Sequence, residues 1–149
     1  PTGKYLYADQ LLDAFKYMNT NKMYNEMTVY FELVSLVHVL EIESDLNIYA
    51  VTAANSHESS WGTYCSPDDK VNGKSVKSCL GDLFSVNWME DTDAAKIGKE
   101  TLQEQYNTVK KETKRSHVLQ WGDLSFSSEA IGDFESGNDT IAKARKFWK

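Results

Sequence analysis

The chain holds little that bends or breaks a backbone. Of its 149 residues only 2 are proline and 8 are glycine. Collagen-like and low-complexity architectures need far more of both and are excluded. Long apolar runs are also absent. The longest, Val29 to Leu40, is interrupted by Glu32, Ser35 and His38, and it falls short of the roughly 20 apolar residues of a bilayer-spanning helix. No membrane partner is expected. Basic clusters are few: Lys110-Lys111 with Lys114-Arg115, and a short stretch from Lys143 to Lys149. In a chain of net charge −6 these read as solvated helix faces, so nucleic acid is not an expected partner either. No leader segment is present and the first residue is Pro1. The chain is therefore expected to be a piece or processed form of something longer.

Motifs for several chemistries are lacking too. There is no glycine-rich phosphate loop and no His-Glu-x-x-His zinc signature. The 2 cysteines, Cys65 and Cys79, flank a polar segment containing Pro67, Asp68, Asp69, Asn72 and Gly73. A metal centre needs more ligands than that neighbourhood offers. A disulfide closing a surface loop is the better reading, adding about 3 kcal/mol if unstrained and implying an oxidising compartment; two free thiols are the alternative. Neither cysteine has a histidine nearby in sequence to form a thiolate–imidazole pair, and Cys65 could act as a nucleophile only outside a disulfide. The 3 histidines are His38, His57 and His117.

What is present is enough apolar material for a packed core, 41% of residues. Asp9 to Met18 reads as an amphipathic helix, with Leu11, Phe15 and Met18 on one face beside Leu12 and an end near Thr20-Asn21. Met27 to Phe31 and Leu46 to Val51 read as strands, being rich in β-branched and aromatic residues. Asn55 to Leu80 reads as a long loop, and loops of that length in compact domains usually carry function. Leu83 to Met89, ending near Asp93, and Thr101 to Thr113, with Leu102, Tyr106 and Val109 on one face, read as helices. Ser116 to Gly122 reads as a strand. Strands alternating with helix-period segments predict an α/β domain with a mainly parallel sheet. Residues 138–149 read as a polar, basic tail, which contains the glycosylation sequon Asn138-Asp139-Thr140.

Two stretches go further. Ala53-Ala54-Asn55 with Glu58-Ser59-Ser60-Trp61-Gly62-Thr63-Tyr64-Cys65, and Cys79-Leu80-Gly81-Asp82-Leu83-Phe84-Ser85-Val86-Asn87-Trp88-Met89-Glu90-Asp91, resemble the legumains and plant vacuolar processing enzymes. Lys22-Met23-Tyr24, Val29-Tyr30-Phe31-Glu32, Glu100-Thr101-Leu102, Gln105-Tyr106, Ser116-His117-Val118 and Gly122 continue the pattern. The resemblance covers Pro1 to about Gly137 and fits legumain better than the related anchor-attaching transamidase. It implies a caspase-like three-layer sandwich, here its C-terminal half, with helices on both faces of the sheet. It implies a cysteine endopeptidase that cleaves peptide or protein substrates after asparagine, without metal or organic cofactor, in the vacuole or lysosome or after secretion. The Cys65–Cys79 spacing matches the loop disulfide of the plant members. Glu32, Ser59, Ser60 and Asp82 fall on the positions lining the asparagine pocket. The chemistry suits an amide, which needs an acceptor for its NH₂ and a donor for its carbonyl. Without the resemblance, Ser59 and Ser60 read as turn residues, Glu32 as a strand-end charge and Asp82 as a helix N-cap.

The resemblance breaks where the chemistry should be. In the family, the strand ending at Glu32 continues Ala-Cys-Glu-Ser-Gly-Ser, and that cysteine is the nucleophile. Here Glu32 is followed by Leu33-Val34-Ser35-Leu36-Val37-His38-Val39, so Val34 stands at the nucleophile's position. Valine cannot attack a carbonyl, and the family's catalytic histidine is expected upstream of Pro1. As written, the chain is expected to be inactive. One base accounts for the segment. Read as CTT GTG AGT CTG GTT CAT GT, residues 33–39 become GCT TGT GAG TCT GGT TCA TGT with a G in front, which encodes Ala-Cys-Glu-Ser-Gly-Ser-Cys. A one-base deletion after the Glu32 codon, compensated near Leu40 or Glu41, is the reading this favours over ordinary divergence to a pseudoprotease.

Overall fold

The structure is a computed structural model and describes residues 6–32, 42–95 and 98–135. Helix α1 spans Ala8–Thr20, beginning one residue before the predicted Asp9 and ending at the predicted Thr20-Asn21. Its apolar stripe, Leu11, Leu12, Phe15 and Met18, turns inward together. The side chain of Asn21 then donates to the Tyr17 carbonyl at 2.8 Å, and Lys22 takes a left-handed φ of 52°, which ends the helix.

Three strands form the main sheet, in the order β1 (Met27–Phe31), β2 (Ile48–Thr52), β7 (Leu119–Gly122). The predicted strand Leu46 to Val51 begins later than expected. Ser44–Leu46 is a 3₁₀ turn, and Asn47 takes a left-handed conformation before β2 starts. Strand β1 pairs β2 in parallel, Met27 opposite Ile48 through Phe31 opposite Thr52. Strand β7 pairs β2 antiparallel, Tyr49 opposite Gly122. The expected parallel pairing therefore holds on one side of β2 only, and the described sheet is mixed. Gly122 has a structural reason to be glycine. Its φ is +78°, and a Cβ there would lie 2.1 Å from the Ile48 carbonyl oxygen.

All five residues of β2 are buried, which places it at the centre. Its side chains alternate between two hydrophobic clusters. Ile48 and Ala50 pack with Phe15 of α1, Phe31 and Leu46. Tyr49 and Val51 pack with residues of α2 (Leu83–Ala94), α3 (Leu102–Glu112) and α4 (Ile131–Phe134), among them Phe84, Leu102, Val109 and Ile131. Burying each such large side chain contributes about 1.5–3 kcal/mol. Helix α3 starts with a capping box, Thr101 Oγ1 accepting from the Glu104 N–H and Glu104 accepting from the Thr101 N–H. Helix α4 was not foreseen in the sequence. Among the described residues no helix is long and apolar enough to cross a membrane.

Candidate functional site

The Asn55–Leu80 segment is not featureless. It holds β3 (Gly62–Thr63), β4 (Lys70–Val71) and β5 (Lys74–Ser75), and β6 (Gly81–Asp82) follows it directly. Cys65 and Cys79 form a disulfide with their Cα atoms 4.0 Å apart. Gly62 lies against it, since a Cβ there would meet the Cys79 sulfur at 3.0 Å. Between the cysteines the loop folds around the buried carboxylate of Asp69. Its Oδ2 accepts from the Ser75 hydroxyl at 2.6 Å and from the Lys77 N–H at 2.8 Å. The ends of the segment are tied as well. Gly62 pairs with Asp82 and Thr63 with Gly81, antiparallel, and the Leu83 N–H donates to the Trp61 carbonyl at 2.7 Å.

These ties deliver Ser60, Trp61 and Asp82 to the start of α2. Asp82 occupies the N-cap position with extended backbone, yet its side chain makes no capping bond. The cap comes from elsewhere in the chain. Glu32, one residue past the end of β1, accepts through Oε2 from the Ser85 N–H at 2.9 Å and from the Ser85 hydroxyl at 2.6 Å. A carboxylate at the N-terminal turn of a helix faces free N–H groups and the positive end of the dipole. The other oxygen, Oε1, is buried and has no hydrogen-bond partner among the described residues.

Of the predicted pocket residues, Glu32 and Asp82 thus meet at one helix terminus, and Ser60 reaches it through the Trp61–Leu83 contact. Ser59 and Asp82 are exposed and Ser60 is half-buried. No side-chain hydrogen bond links the four to one another among the described residues. Val34, the position of the expected nucleophile, lies outside the described residues, as do His38, the sequon and the tail. Ser85 went unrecognised in the sequence because a serine in the first turn of a helix looks like ordinary surface.

Next to this terminus runs a buried polar chain. The Tyr30 hydroxyl donates to Gln105 Oε1, Gln105 Nε2 donates to Thr92 Oγ1 at 2.9 Å, and Thr92 Oγ1 lies 2.7 Å from Glu135 Oε2. The Tyr30 ring stacks on Trp88 at 4.6 Å. Burial raises the Tyr30 pKa well above its ordinary value. Asp91, beside the same chain, is pushed up to about 7, first by burial and then by the charges of Glu100, Glu112 and Glu135.

On the other side, Glu58 accepts from the His117 N–H at 2.7 Å, from its imidazole Nδ1 and, at 2.7 Å, from Asn55 Nδ2. These bonds, the His117 N–H foremost, hold the Glu58 carboxyl below its usual range. A carboxylate orienting an imidazole is one part of a nucleophile-activating arrangement. Neither cysteine is available to pair with His117, because both are joined in the disulfide. The described residues contain no cysteine–histidine pair.

Polar side chains gathered past the carboxyl ends of parallel strands occupy the place where α/β sheets hold ligands, so fold and site define an α/β domain of the ligand-binding or catalytic class. The family model for the peptidase C13 family matches residues 1–137, and the chain belongs to that family. It is 41% identical over 138 residues to a vacuolar-processing enzyme of Citrus sinensis, covering 88% of this chain and 28% of the relative. It is 40% identical over 145 residues to the vacuolar-processing enzyme delta-isozyme of Arabidopsis thaliana, covering 93% and 31%. It is 36% identical over 140 residues to the legumain of Canavalia ensiformis, covering 88% and 30%. The chain thus spans under a third of the length of these relatives.

Proposed function

We propose that this chain is the asparagine-reading part of a legumain-like cysteine endopeptidase of caspase-like three-layer architecture. Residues 1–137 form the C-terminal part of its catalytic domain and residues 138–149 a tail. One observation carries the reading: the buried Oε1 of Glu32 at the N-terminus of α2, which has no hydrogen-bond partner among the described residues. A buried acceptor without a donor costs about 1–3 kcal/mol. The NH₂ of an asparagine side chain would supply that donor, while Ser59 or Ser60 donates to its carbonyl and Asp82 closes the rim. In an intact relative the thiolate two residues after Glu32 would attack the asparagine's own backbone carbonyl, forming a thioester as the bond to the next residue breaks, with a histidine passing a proton to the departing amine. The substrates are peptides or proteins. The names of the relatives and the disulfide support the vacuole, with lysosome and secretion as related routes.

Binding tests the pocket without requiring turnover. A labelled peptide with a central asparagine is expected to bind the 149-residue chain about tenfold tighter than its alanine counterpart, the size of one satisfied buried acceptor. Equal affinities would remove the pocket assignment. Hydrolysis is expected only after residues 33–39 are rewritten as Ala-Cys-Glu-Ser-Gly-Ser-Cys and the upstream histidine region is joined.

A second reading follows from Val34: a non-catalytic, peptide-binding relative. Sequencing the transcript across codons 30 to 42 separates the two. A further base after the Glu32 codon would restore the cysteine and support the endopeptidase. A read that encodes Leu33 to Val39 as written would support the binding module.

A further inference from the structure

We infer that a cationic cavity beside this site takes an acidic side chain of the bound peptide, so that peptide recognition extends beyond asparagine. The inference rests on the peptide-binding reading above. The cavity, about 500 Å³ and open to solvent, is lined by Lys110, Lys111, Lys114, Arg115 and His117, with Glu58 as its acid. Four basic side chains and one carboxylate line it, in a chain whose net charge is −6; of the four, Lys110 also donates to the Tyr106 hydroxyl at 3.0 Å. The concentration of positive charge is therefore local and not a reflection of a basic protein.

Glu58 offsets only one of these charges. Its oxygens already accept from the His117 N–H and imidazole and from Asn55. Lys110 and Lys111 sit in the last turn of α3, where cations complement the helix terminus. Lys114 and Arg115 lie beyond the helix, and that explanation does not reach them.

Arg115 provides the link to the candidate pocket. Its guanidinium stacks over the Trp61 ring, 3.9 Å from the ring centre. Trp61 follows Ser60 directly, and its carbonyl holds the Leu83 N–H next to Asp82. Stacking leaves the guanidinium N–H edge free for a carboxylate, the geometry in which arginine recognises acids. Glu58, on the cavity wall, is adjacent in sequence to Ser59, so the 58–61 segment borders both places. A peptide lying along that segment would meet both.

A two-by-two peptide set tests this and keeps it apart from the asparagine reading. Four fluorescein-labelled peptides carry asparagine or alanine at the centre and glutamate or glutamine at the flanking positions. Their affinities for the full chain are read by anisotropy at low salt. The glutamate peptides are expected to bind about fivefold tighter than the glutamine peptides at either central residue, as for one charge-assisted contact at an open surface. The preference should fade as salt rises. The double variant Lys114→Gln, Arg115→Gln should lose the glutamate preference, keep the asparagine preference and melt like the parent chain. Equal binding of glutamate and glutamine peptides, or a preference that survives the double variant, overturns the inference. So does binding of a heparin fragment that the glutamate peptide cannot displace, which would assign the cavity to sulfated glycans. A glutamate preference without an asparagine preference would uphold the cavity while removing the pocket reading.

Discussion

Two regions of this molecule are ordered by different physics. The sheet and its helices are held by burial: β2 is enclosed on both faces, and Tyr49, Phe84, Leu102 and Val109 are almost wholly removed from water. The 55–82 segment buries few apolar groups, and residues 71–80 are exposed throughout. It is held by a disulfide, by two-residue strand pairings and by hydrogen bonds to Asp69. The candidate pocket draws on both regions, with Glu32 from the first and Ser59, Ser60 and Asp82 from the second. Its rigidity depends on the seam between them at the start of α2.

The sharpest way to break the contrast is to open the core. Phe84→Ala should cost about 3–5 kcal/mol and shift the urea midpoint of the whole molecule. Removing the disulfide should cost less and act locally. Cys65→Ser with Cys79→Ser is expected to lose about 3 kcal/mol or less. Hydrogen exchange should then accelerate across residues 62–82 while the β2 amides stay protected; acceleration spread evenly over the sheet would abolish the distinction.

The seam itself should respond more weakly. Glu32→Ala removes the acceptor for Ser85 at the α2 terminus and should cost about 1 kcal/mol, measured as a lower urea midpoint with unchanged slope. The remaining test is a pH slope. The Asp91 carboxyl titrates at about 7 in the fold, above its ordinary value near 3.9. Folded protein therefore binds that proton more tightly than unfolded chain. Its contribution to stability is full below about pH 4 and is lost as pH rises through about 7. Tm should decline over that interval, and Asp91→Asn should flatten the decline. Glu100, Glu112 and Glu135, which face Asp91, are left in place by that change.

The same division explains what the sequence revealed. Met27–Phe31 was legible to the residue because β-branched and aromatic side chains fit a pleated, half-buried strand. Helices α1, α2 and α3 were legible from their apolar spacing; the four-residue α4 is too short to show a period. Leu46 was placed in a strand, although an apolar residue can equally anchor a 3₁₀ turn when Asn47 next to it adopts a left-handed backbone. The antiparallel course of β7 was hidden, because a strand's composition does not state its direction. Inside the 55–82 loop the two-residue strands left no periodic signal; backbone hydrogen bonds hold them, and any residue can make those. The Cys65–Cys79 bond was favoured from spacing and family resemblance. The Glu32–Ser85 cap was invisible, since its partners lie 53 residues apart and neither has an unusual local context.

The disulfide also acts as a clock. A bond of this kind persists only where the surroundings are oxidising, and Gly62 is seated against its sulfur. A newly made chain in a reducing cytosol would carry a finished sheet and a slack loop. The brace that fixes the path from Trp61 to Asp82 would close only in oxidising surroundings.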